Sequence, residues 1–124
     1  MKKILAFALC MLLMFCLCGC GDIQSVKENL TKAGYEVNDM DESRLTSLNN
    51  DVKYTYNGKG SIISGFYATN DEGQSVIGVE FTDNNDMTVM YKQLKSELED
   101  GWIIDIKGKI VIYGTEKAVK TALK

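Results

Sequence analysis

The chain has 124 residues, no histidine, no proline and four cysteines, with 14 basic against 17 acidic side chains and a formal net charge of −3. That acidic balance argues against a nucleic-acid partner and against a polybasic contact with anionic lipid. Without histidine there is no imidazole acid–base catalysis and no Ser-His-Asp triad, and no G-x-S-x-G nucleophile motif is present.

The first twenty residues, MKKILAFALCMLLMFCLCGC, place Lys2 and Lys3 ahead of fourteen apolar residues from Ile4 to Leu17, then small residues and a cysteine. This is the charged, apolar, cleavable order of an export signal, and the run falls short of the roughly 20 residues that cross a bilayer. Its end, Leu17-Cys18-Gly19-Cys20, resembles the lipobox of bacterial lipoproteins. The resemblance implies that the signal peptidase reads Leu17, Cys18 and Gly19. Cys20 would then take a diacylglycerol on its sulfur and become the new amino terminus. Cys18 stands where alanine or serine is usual, and using Cys18 as the modified residue would put Phe15 and Cys16 in the motif, a poorer match. An ordinary cleaved signal is the alternative, and it would leave Cys20 as an exposed reactive thiol. Two acyl chains on one sulfur hold a protein to a bilayer durably, since each buried methylene contributes about 0.8 kcal/mol.

Cleavage ahead of Cys20 removes 19 of the 124 residues and leaves 105, enough for one domain over 23–124 behind a short lipidated tether, 20–22. Cys10, Cys16 and Cys18 depart with the signal, so the mature chain is expected to hold no internal disulfide, no thiolate metal site and no cofactor. Losing Lys2 and Lys3 as well leaves 12 basic against 17 acidic side chains, a net charge of −5.

The capping-box pattern Ser25-Val26-Lys27-Glu28 predicts a helix with Ile23, Val26, Leu30 and Ala33 on one side and Gly34 as its stop. Tyr35 to Val37 reads as a short strand and Asn38 to Glu42 as an acidic turn. Asp41 caps a brief helix carrying Leu45 and Leu48 that ends at Asn49-Asn50. In Asp51 to Gly60, the alternation of Val52, Tyr54 and Tyr56 predicts an edge strand. Ser61 to Thr69 and Gln74 to Thr82 form a hairpin about Asn70-Asp71-Glu72-Gly73. Asp83-Asn84-Asn85-Asp86 then caps a helix that buries Met87, Met90, Tyr91, Leu94 and Leu98 and stops at Gly101. Trp102 to Lys107 and Lys109 to Gly114 make a second hairpin, with Ile104, Ile106, Ile110 and Ile112 on a common face. Thr115 caps a last helix bearing Ala118, Val119, Ala122 and Leu123. The fold class these patterns predict is α+β: an antiparallel sheet of about five strands with helices packed on one face, a two-layer sandwich.

Carboxylates are the remaining route to catalysis. Glu80 and Asp105 stand alone among apolar strand residues, where outward-facing positions explain them as well as a paired-acid site does. Asp83 to Asp86 lacks the alternate ligands, central glycine and terminal glutamate of an EF-hand, so capping is the expected role. Tyr54, Tyr56, Phe66 and Tyr67, with Gly58, Gly60 and Gly65 among them, form the candidate binding surface, because aromatic anchors carry interface energy at low entropic cost. The same residues also suit sheet core.

The expected protein is therefore a lipid-anchored module on the outer face of a bacterial cell membrane. It is expected to be non-catalytic, with a protein or envelope-polymer partner. The alternatives are a solute-binding or accessory subunit of a transporter and a small carboxylate enzyme. As a whole, the chain resembles the uncharacterised small lipoproteins of Gram-positive bacteria, a likeness that brings no function with it.

Overall fold

Val76, Ile77, Val79 and Phe81 make β3 (Ser75–Phe81) apolar on both sides, and this strand becomes the middle of the sheet. The computed structural model describes residues 21–124, so the lipobox residues Leu17, Cys18, Gly19 and Cys20 lie outside the described residues. Nine elements follow in order: α1 (Gly21–Lys32), β1 (Glu36–Asp39), α2 (Glu42–Tyr54), β2 (Ile62–Thr69), β3, α3 (Asn84–Glu97), β4 (Trp102–Lys107), β5 (Ile110–Thr115) and α4 (Glu116–Ala122). The sheet runs β1-β2-β3-β5-β4 with every neighbouring pair antiparallel, an α+β fold of the class expected.

The helices are shared between both faces of the sheet. On one face α1 and α4 pack Ile23, Val26, Leu30, Ala118, Val119 and Ala122 against Phe66, Ala68, Val76, Ile110 and Ile112. On the other, Val52 of α2 and Met87 and Met90 of α3 cover Ile62, Val79, Phe81 and Val111. The physical reason is the unbroken apolar run Ile110-Val111-Ile112-Tyr113 in β5, since consecutive strand residues point to opposite faces and both sides then need cover. For the same reason Ile104 and Ile106 do not share a face with Ile110 and Ile112. Pairing of Ile104 with Tyr113 and of Ile106 with Val111 turns them to the α2/α3 side. A register shift between Ile62 and Ser64 brings Ile62 to that side as well, opposite Phe81, while Phe66 stays on the other.

Boundaries differ where side chains serve the main chain. α1 is helical from Gly21, so Ser25 is inside it and part of the expected tether belongs to the helix. Its far end closes as drawn from Gly34, with Tyr35 N–H donating to Leu30 O (3.0 Å) and Gly34 N–H to Thr31 O (3.1 Å), and φ +91° at Gly34. α2 runs through Asn49-Asn50 to Tyr54, so no strand occupies Asp51 to Gly60. Val52 continues the Leu45, Leu48 stripe by one helical turn. α3 ends at Glu97, ahead of Gly101. Thr115 holds the N-cap position of α4 without capping it, because its hydroxyl bonds the Ser75 main chain.

Candidate functional site

The helices α2 and α3 seal one end of their sheet face and leave the other partly open. The transverse row Met40, Gly65, Val79 and Val111 lies under them, with Val79 and Val111 fully buried. The next row, Asn38-Tyr67-Ile77-Tyr113-Ile104, crosses all five strands, and its Tyr67 is 48% exposed.

Beside Tyr67 lies an open depression of about 490 Å³ lined by Asp39, Met40, Asp41, Ser43, Arg44, Ser47 and Tyr67. Local chemistry builds it. The Asp41 carboxylate accepts from Arg44 N–H at 2.8 Å and starts α2 immediately after β1. Ser43 and Ser47, one turn apart, present short side chains that leave space above the tyrosine. Gly65 lets Met40 sit against the sheet as the floor, since a Cβ there would lie 2.6 Å from Met40 Sδ. In the row beside Tyr67, burial pushes the Tyr113 phenol above its usual ionisation range, with Arg44 pulling it back and Tyr56 pushing it further up.

Of the four aromatics expected to form one surface, the structure gathers none with all the others. Tyr67 lines the depression, and Tyr54 is 81% exposed at the far end of α2. Tyr56 packs half-buried into the α2/α3 core, where burial, then Glu97 and Asp51, raise its pKa. Phe66 is a correction: it is wholly buried over Gly78 on the opposite face, which its pairing with Gly78 dictates. Arg44, Ser43 and Ser47 were not singled out from sequence, because the one-turn spacing of the serines marks a helix face without showing what lies beneath it.

The acids have structural roles. Asp83 caps α3, accepting from Asn85 and Asp86 N–H, and ion-pairs with Lys59 at 3.2 Å. Asp86, 1% exposed, accepts from Lys59 N–H (2.8 Å) and Ser61 N–H (2.9 Å), tying the 55–61 loop to α3. Burial acts to raise its pKa, and the hydrogen bonds from Lys59 and Ser61 outweigh it, so the net shift is downward. Glu80 accepts from Ser64 Oγ at 2.8 Å, while Asp105 accepts from Ile106 N–H two strands away, with β5 between them. Among the described residues, no group of three or more acids, cysteines or histidines is placed to hold a metal ion, and no helix is long and apolar enough to cross a membrane.

No protein-family model, curated protein or solved structure matches the chain.

Proposed function

We propose that the protein is a lipid-anchored, extracytoplasmic binding module that presents the Tyr67 depression to a protein or envelope-polymer partner. The anchor is the lipid on Cys20, and Leu17, Cys18 and Gly19 are its recognition sequence. The observation that carries the binding reading is a half-exposed tyrosine beside Arg44, two serines and two carboxylates in one open depression. Such a surface offers stacking area and directional hydrogen bonds together.

Both lining carboxylates are already engaged, Asp39 by Lys27 at 2.6 Å and Asp41 by the start of α2, which favours binding over acid–base chemistry. The open shape favours a macromolecular surface over an enclosed small solute. α1 begins one peptide bond after Cys20 and packs on the face opposite the depression, so an anchored module points its open face away from α1 and the lipid.

The test is retention of isolated cell-wall polymer and of solubilised membrane proteins by the immobilised full chain. Tyr67→Ala and Arg44→Ala are expected to lower retention about tenfold, the loss of a moderate hot spot, while Tyr54→Ala leaves it unchanged. Equal retention by all variants contradicts the reading.

A further inference from the structure

The two edges of the sheet are finished differently. In β4, Lys107 and Ile110 flank the two-residue turn Gly108-Lys109 and pair directly, so the alternate residues Trp102, Ile104 and Ile106 turn their main-chain groups outward. Trp102 N–H donates to Glu99 O (3.1 Å), and Ile106 N–H donates to the Asp105 carboxylate (2.8 Å). A chain with no proline thus engages two of the three outward N–H groups of this edge with its own oxygens, and among the described residues that of Ile104 is left open.

In β1, Met40 N–H donates to Gly65 O (2.9 Å), which sets Glu36 and Asn38 inward and Val37 and Asp39 outward by the same alternation. Outside the β1–β2 ladder, no hydrogen bond among the described residues reaches the main chain of Val37 or Asp39. This open edge borders the depression, because Asp39, Met40 and Asp41 line it and Tyr67 pairs with Asn38.

We propose that β1 is a docking edge for an extended, basic segment of another protein, which adds a strand beside Val37 and Asp39 and directs one side chain toward the depression. This rests on the binding-module reading and selects the protein partner over the envelope polymer. Charge identifies the occupant. Glu36, Asp39, Asp41 and Glu42 are all exposed along this edge, with Lys27 and Arg44 the cations held there. A second copy is disfavoured, since pairing two β1 edges gathers Glu36, Asp39, Asp41 and Glu42 of both copies along one seam, four acids from each against the two cations Lys27 and Arg44, and like charges repel. A segment with lysine or arginine at alternate positions meets the acids and makes main-chain bonds of the strand-addition type.

The experiment selects ten-residue peptides from a random displayed library on the detergent-solubilised full chain, then measures the winners on two variants. Asp39→Ala keeps the outward N–H and loses the Lys27 ion pair. Asp39→Pro loses both, and proline is tolerated at a sheet edge. The expected result is enrichment of basic peptides that bind the proline variant about tenfold more weakly than the alanine variant, as the loss of one main-chain bond requires. Enrichment of neutral or acidic peptides, equal binding to both variants, no enrichment, or self-association through β1 overturns the proposal. Should cell-wall polymer still require Tyr67 while peptides fail, the docking edge falls and the binding module stands.

Discussion

Asn49 and Ile62 exchange two hydrogen bonds: the Asn49 side chain donates to Ile62 O at 3.0 Å and accepts from Ile62 N–H at 2.8 Å. A helix side chain thereby behaves as a strand neighbour for the first residue of β2, where Ile62 is buried and water does not replace the partner. Asn49→Ala leaves both groups unpaired and is expected to cost about 2 to 3 kcal/mol. Urea denaturation measures it, and Asn49→Asp, which keeps the acceptor for Ile62 N–H but sets a carboxylate oxygen against Ile62 O, should also destabilise the chain.

Asp86 makes stability depend on pH in a defined direction. Its pKa is lowered below the ordinary 3.8 in the folded chain, so its contribution is fully present above that value and is lost as pH falls through and below it. Asp83 is shifted the same way, chiefly by the Asp86 N–H bond, then the Lys59 side chain. Asp86→Asn should lose about 2 kcal/mol at pH 7, because one main-chain donor then faces an amide N–H. Denaturation curves between pH 7 and 3 should show a shallower acid slope for the variant.

Tyr35 is buried at 6% exposure, and its hydroxyl has no hydrogen-bond partner among the described residues. Tyr35→Phe removes a desolvated polar atom and keeps the ring against the α1/α4 core, so stability is expected to rise by about 1 kcal/mol. A higher urea midpoint with unchanged slope checks this.

Much of the fold was legible in sequence. Both hairpins and α3 followed from alternation, turn chemistry and the Asp83 cap, and Gly34 marked the end of α1, because these signals act within a few residues. α2 was cut short because an asparagine pair is a common stop, and nothing local reveals that Asn49 is bound to Ile62 thirteen residues on. The period-two spacing of Val52, Tyr54 and Tyr56 came from the last turn of a helix and its exit, not from a strand. The two-sided cover was written in Ile110 to Tyr113, a continuous apolar run that reads as buried on both faces. Of the site, Tyr67 was visible as an aromatic on a hairpin, whereas Arg44, Ser43 and Ser47 acquire meaning only when α2 is set above β2.

Export and attachment through Cys20 underlie the whole functional reading, and intact mass spectrometry of the protein recovered from the cells that make it tests them most directly. The account predicts a chain beginning at Cys20, with 105 residues and the added mass of a diacylglyceryl group. A full-length chain retaining Met1, or a mature chain with an unmodified Cys20 thiol, contradicts it.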